Sequence, residues 1–183
     1  MAQRGRAVFL DRDGVINAAI VRDGKPYPPF TLEQFSILPG VPEACRLLHD
    51  AGFHLVVATN QPDVGRGSLA QSTVEEIHRV MCERLPIDRV EVCYDPDDRS
   101  ASEFRKPRPG MLLRAAQALA VDLSRSYMIG DRWRDIDCGH AAGCKTIFID
   151  SGYKESLRAQ PDFTAPDLFA AARLILAVES GGS

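Results

Sequence analysis

Cysteine is scarce and scattered: Cys45, Cys82, Cys93, Cys138 and Cys144 form no CxC or CxxC pair. An odd count at wide spacing excludes a disulfide framework and a cysteine-rich zinc set, and reads as small buried hydrophobes. Excess positive charge is lacking too. Lys plus Arg total 22 against 25 for Asp plus Glu, a formal charge of −3, which argues against a nucleic-acid partner. No apolar run approaches the roughly 18 residues of a membrane span, so no membrane partner is expected. The first apolar run, Ala7 to Leu10, is shorter than a signal-peptide core of about 7–15 residues, and the expected address is the cytoplasm. Repeats, low-complexity runs and an interdomain linker are missing as well. What remains is a 183-residue chain, 45% apolar and 26% charged. That composition buries one core, so a single domain over 1–183, with its core at about 6–178, acting as a monomer, is expected.

Arg6 to Asp11 is a short apolar run ending in an acid and reads as a buried strand. Val41 to Ala51 has apolar residues at helical spacing and stops at Gly52. His54 to Thr59 reads as a second strand. Leu69 to Leu85 carries Ile77, Val80, Met81 and Leu85 on one helical face, with Ser72 or Thr73 as N-cap. Asp88 to Tyr94 predicts a third strand, and Pro109 to Ala120 a helix opened by proline. Ser126 to Gly130, Arg134 to Ala142, Lys145 to Asp150 and Asp167 to Val178 predict strand, helix, strand and helix, with 179–183 as a frayed tail. Pro26 to Pro29 and Asp95 to Glu103 read as irregular loops. Alternating strands and helices imply an α/β fold: a parallel, Rossmann-like sheet with helices on both faces.

In such sheets ligands bind beyond the carboxyl ends of the strands. Those ends here hold Asp11-Arg-Asp13, Thr59-Asn60-Gln61 and Gly130-Asp131, with Asp135 four residues on and Arg105-Lys106 before a helix. Singly, each is unremarkable: a DxD is often a capped turn, Thr-Asn a turn, and Arg12, Arg66 and Arg132 surface residues by default. Together they are not. Neighbouring carboxylates repel unless a hard cation binds them, and oxygen ligands suit Mg²⁺. One carboxylate can attack phosphorus while a second donates a proton and then activates water. Lys106, Thr59 and Asn60 offer donors for the developing phosphoryl charge.

This conjunction resembles the haloacid dehalogenase (HAD) superfamily of phosphatases. It is closer still to the subfamily of D-glycero-D-manno-heptose-1,7-bisphosphate 7-phosphatases and histidinol phosphatases. The segments that carry the resemblance are FLDRDGVIN (9–17), ILPGV (37–41), TNQPDVGRG (59–67), RKPRPGML (105–112), MIGDRWRDI (128–136) and AAGCKTIFID (141–150). The resemblance implies Asp11 as nucleophile and Asp13 as acid/base. It implies Mg²⁺ on Asp11, Asp131 and the backbone carbonyl of Asp13, and Thr59 and Lys106 on the transferring phosphoryl group. Arg105 and Arg132 would contact substrate, Asn60 would support its loop, and Asp135 would restrain Lys106 or the metal waters. The implied reaction is Mg²⁺-dependent hydrolysis of the 7-phosphate of a heptose bisphosphate through an aspartyl phosphate.

Two departures stand out. Relatives of this subfamily often carry a Cys-x-His and Cys-x-Cys zinc loop. Here Cys93 keeps the first position, but Asp95, Ser102 and Phe104 replace the other ligands, so no structural zinc is expected. Neither Asp13 to Pro39 nor Leu85 to Arg105 is long enough for a large cap domain. The alternatives are a histidinol-phosphate or other small-metabolite phosphatase, a receiver-type phosphoacceptor switch, and a silent sugar-phosphate binding module. The cations Arg66, Arg105 and Arg132 favour a substrate with a second phosphate over one bearing an ammonium. A switch is disfavoured because its phosphorylated Asp follows a middle strand.

Overall fold

Strand β1 (Arg6–Leu10) is the axis of the fold, and its alternation sets the two cores. The structure, a computed structural model, describes residues 5–22, 25–97, 102–152 and 155–181. Val8 and Leu10 face one layer with helices α1 (Val41–Asp50), α3 (Gln71–Arg84) and α6 (Leu168–Ser180). Ala7 and Phe9 face the other, with α4 (Gly110–Ala118) and α5 (Trp133–Ala142). All four residues are fully buried, so a one-residue slip of β1 would exchange the two cores.

The remaining strands are β2 (Ile20–Arg22), β3 (Lys25–Tyr27), β4 (Phe53–Asn60), β5 (Arg89–Cys93), β6 (Tyr127–Gly130), β7 (Lys145–Ile149) and β8 (Phe163–Ala165); α2 (Pro62–Gly65) is a single turn. Six strands form one parallel sheet in the order β5-β4-β1-β6-β7-β8. After β1 the chain builds outward through β4 and β5, then returns to the other side of β1 for β6. The switch in strand order therefore lies at β1 and β6, and the carboxyl ends of β4, β1 and β6 stand side by side. This is the three-layer α/β architecture the alternation predicts. The chain between β1 and α1 holds no large cap: among the described residues it forms the antiparallel β2–β3 pair and a 3-10 turn at Leu32–Gln34.

Several local expectations are corrected. Pro26 lies in β3 rather than in an irregular loop; a two-stranded ribbon has outer edges that tolerate a residue without an N–H. Strand β8 was not expected, since three residues are too few to show alternation. Helix α3 is preceded by Ala70, and Ser72 and Thr73 lie inside its first turn, where the Ala70 carbonyl accepts from Thr73 N at 3.1 Å. Pro109 is the N-cap of α4 rather than its first residue, and Ala120 leaves the helix in the left-handed region at φ 51°. The expected frayed tail is helical to Ser180. Glu179 explains why: it accepts from Arg6 Nη1 at 2.5 Å and from the Tyr127 hydroxyl at 2.7 Å, tying α6 to β1 and β6. Gly182 and Ser183 lie outside the described residues, as do residues 98–101 of the polar loop after β5. No helix of the described residues is long and apolar enough to cross a membrane.

Candidate active site

Backbone geometry brings the acids together. Asp11 extends β1 by one bond, its N–H donating to Ile129 O of β6 at 3.0 Å. The chain then turns back, Ile16 and Asn17 N–H donating to Arg12 O at 2.9 and 3.1 Å. Gly14 permits that turn. Its φ is +90°, and a Cβ there would stand 2.2 Å from Asp131 Oδ2. Across the site, a Cβ on Gly130 would stand 2.1 Å from Asp135 Cβ. Gly14 thus lets the Asp11 loop close on Asp131, and Gly130 lets the first turn of α5 fold back on the end of β6.

Asp11, Asp131 and Asp135 each place a carboxylate oxygen within 4.8 Å of the others, and all three are buried. Lys106 answers part of that charge. Its Nζ donates to Asp11 Oδ1 at 2.9 Å, Asp135 Oδ1 at 2.6 Å and Ala58 O at 2.7 Å. All three ammonium protons are engaged in a group that is 2% exposed. Burial alone would depress the Lys106 pKa, but Asp11 and Asp135 outweigh it and raise it. Asp131 has no such partner close by; Arg132 Nε is 3.8 Å away, and Oδ1 is buried without a hydrogen-bond partner among the described residues. Burial, then Asp11 and Asp135, push Asp131 well above the carboxylate range. Two like charges about 5 Å apart at an effective dielectric of about 20 repel by about 3 kcal/mol. One ammonium cannot cancel three carboxylates, and an all-oxygen donor set with an orphaned buried oxygen fits a hard divalent cation such as Mg²⁺.

Asp13 is treated differently. Arg12 Nε and Nη2 donate to its two oxygens at 3.2 and 3.1 Å, Asn17 Nδ2 donates at 3.0 Å and Gln61 Nε2 at 2.8 Å. Burial would raise its pKa, but the Arg12 charge and these donors lower it. The sequence suggests a surface Arg12; the structure buries it completely, because its guanidinium is matched to Asp13 on one side and His78 on the other.

Asp11, Asp13, Asn60, Arg105, Lys106, Asp131, Arg132 and Asp135 line one cavity of about 360 Å³. Arg66 and Arg134 join them at its wall. Thr59 lies beneath, 1% exposed, its Oγ1 accepting from Gln61 Nε2 at 3.0 Å. Asn60 spends both ends of its amide on the Lys106 backbone, at 3.1 Å each, clasping the lysine loop to β4. Asp135 restrains Lys106 and also accepts from Arg132 N at 3.1 Å. Arg105 donates to Asp95 O at 2.8 Å, and Arg132 donates to Glu155 Oε2 at 3.1 Å. Gln61, His78 and Glu155 carry no role in the sequence reading. Gln61 had a signal in its place directly after Thr59-Asn60; His78 and Glu155 sit far from any motif.

Residues 103–171 match the HAD-hydrolase-like family. The chain is 35% identical over 191 residues to the D-glycero-D-manno-heptose-1,7-bisphosphate 7-phosphatase of Thermosynechococcus vestitus, covering 92% of this chain and 94% of that protein. It is 36% identical over 164 residues to the D-glycero-beta-D-manno-heptose-1,7-bisphosphate 7-phosphatase of Escherichia coli K12, covering 83% of each. The D,D-heptose 1,7-bisphosphate phosphatase of B. bronchiseptica, solved with magnesium and phosphate, superposes with a TM-score of 0.80 at 27% identity, covering 94% of this chain and 99% of that one. This chain belongs to the HAD superfamily of phosphatases, the phosphoric monoester hydrolases that these relatives represent.

The charge imbalance gives a test independent of turnover. Asp131→Asn is expected to stabilise the metal-free protein by about 1–3 kcal/mol, since it removes a carboxylate that burial and two neighbours disfavour. It should also abolish any rise in melting temperature on adding Mg²⁺. Thermal melts in chelator and in Mg²⁺ measure both; a variant less stable in chelator, yet still stabilised by Mg²⁺, would contradict the assignment.

Proposed function

We propose that this phosphatase removes the 7-phosphate of D-glycero-D-manno-heptose 1,7-bisphosphate through an aspartyl phosphate on Asp11. The observation that carries the chemistry is the Lys106 ammonium shared between Asp11 and Asp135, which orients Asp11 at the mouth of the sheet. Asp11 attacks phosphorus, the bond from phosphorus to the sugar oxygen breaks, and Asp13 supplies the proton to that oxygen. Asp13 then takes a proton from water as water attacks the acyl phosphate, releasing inorganic phosphate and freeing Asp11. Lys106 and Thr59 bind the transferring group, and Asp135 and Asn60 position Lys106 from its two ends. Mg²⁺ would be held by Asp11, Asp131 and the Asp13 backbone carbonyl. When bound, it neutralises phosphoryl charge that one lysine cannot. The pairing that lowers the Asp13 pKa suits the water-activating step; the acid step requires Asp13 to gain a proton against that pairing.

The substrate reading rests on the relatives and on Arg66, Arg105, Arg132 and Arg134 around one cavity. Arginine forks suit a second phosphate, whereas an ammonium substrate would call for acids at that wall. We also infer that the chain works as one domain over 1–183, as a cytoplasmic monomer with no nucleic-acid or membrane partner.

Zinc has no place in this proposal. The Cys93 thiol, whose pKa burial raises, donates to Asp95 Oδ2 at 3.1 Å. The described ends of the loop are tied instead by Arg105 to Asp95 O, and by Arg114 over the Phe104 ring at 4.2 Å. Elemental analysis of protein purified without chelator is expected to show no stoichiometric zinc; one zinc per chain would point to a ligand set around Cys93 that this account omits.

Arg105→Ala is expected to lower kcat/KM for the heptose bisphosphate by about 10–100-fold and to leave a small aryl phosphate nearly unchanged. Lys106→Ala should lower both by at least about 100-fold, since both share the phosphoryl transition state. An equal fall for both substrates in Arg105→Ala would place Arg105 in the chemical step or the fold. Preference of the wild type for histidinol phosphate over the bisphosphate would overturn the substrate.

A further inference from the structure

Helix α3 buries Val74, Ile77 and Met81 completely, and among them sits a polar ring, His78, only 8% exposed. Its Nε2 lies 3.1 Å from Arg12 Nη1. A guanidinium only donates, so Nε2 must accept and the ring proton must sit on Nδ1. Burial, reinforced by the Arg12 charge, pushes the His78 pKa down to about 4, consistent with a neutral acceptor. Arg12 therefore works in two directions. Nε and Nη2 form a fork on Asp13, and Nη1 is anchored to a helix outside the catalytic loops.

The consequence follows from what Asp13 has to do. In the phosphatase reading, on which this inference rests, Asp13 exchanges a proton first with the leaving oxygen and then with water. Its carboxyl must loosen from Arg12 and come back to one geometry. An arginine held only by Asp13 would travel with it. A buried arginine anchored elsewhere stays, and gives the carboxylate a fixed place to return to. Gln61 completes the seat from the other side, donating to Asp13 Oδ2 while holding Thr59.

We propose that His78 is a positioning residue for the acid/base step: by accepting from Arg12 Nη1 it fixes the guanidinium that seats Asp13. His78 is not among the residues that line the active-site cavity and acts only through Arg12.

The test separates this role from a structural one by leaving group. A poor alkyl leaving oxygen needs a proton in the transition state, and a good aryl leaving group does not. His78→Leu keeps the volume and removes the acceptor. It is expected to lower kcat for a sugar phosphate by about 10-fold or more, while kcat for an aryl phosphate stays within about 3-fold of wild type. KM should change little for either. His78→Gln, whose amide oxygen can accept, should restore the sugar phosphate rate to within about 3-fold. Asp13→Asn should show the same split at larger size. If His78→Leu does not melt cooperatively, His78→Thr, too short to reach Nη1, takes its place. Equal losses on both substrates, no loss on the sugar phosphate, or failure of Gln to rescue would each overturn the proposal. A wild type that releases phosphate from neither substrate would instead end the phosphatase reading itself, and the inference with it.

Discussion

A single buried ammonium holds the active end of this molecule together. Lys106 Nζ reaches from the loop before α4 to β1 through Asp11, to α5 through Asp135, and to β4 through the Ala58 carbonyl. The neighbouring strands β1 and β4, and helix α5 that follows β6, are thereby pinned at one atom. Burying such a charge is costly unless its partners are complete, and here every proton is used. The same completeness leaves Asp131 over. Its buried oxygen, unpartnered among the described residues, is the mark of a cluster with more negative charge than Lys106 balances. The neighbouring loops obey this constraint: Gly14 and Gly130 lie where any side chain would collide with the acids.

Two carboxylates separated by one residue are set to different tasks by what surrounds them. Asp11 accepts from Lys106 and from Arg12 N at 2.8 Å and faces the acid cluster. Asp13 lines the same cavity but is held by a bed of neutral and cationic donors. Strand alternation does not make this difference, since residues two apart point to the same side. A DxD at the end of a central parallel strand would place both on one side; the turn at Gly14 is what separates their surroundings.

The buried strands were legible because an apolar run bounded by acids or glycine has few other solutions, and alternation with helices left only a parallel sheet. The acids at Asp11, Asp131 and Asp135 were legible only in conjunction, since each alone reads as a turn or helix cap, and Asp135 does accept from Arg132 N at the start of α5. Legibility failed where length or distance defeated the signal. Strand β8 offers three residues, and β3 contains a proline that reads as a loop. Arg12 looked like a surface residue since its two partners, Asp13 and His78, are one and 66 positions away. Glu179 looked like a tail because the Arg6 and Tyr127 groups that hold it come from the other end and the middle of the chain. For Arg12 and Glu179 the missing information was tertiary: a polar group with a distant partner that no local pattern reveals.

The central claim is that Asp11, oriented by Lys106, is the group that attacks phosphorus. Asp11→Asn keeps nearly the same shape but removes the nucleophile and one charge of the cluster. The most direct measurement is steady-state phosphate release by purified Asp11→Asn protein from the heptose bisphosphate in Mg²⁺, beside wild type, with the fold of both checked by thermal melting. The account predicts a cooperatively folded variant with no turnover above background. Release at a rate comparable to wild type would contradict it.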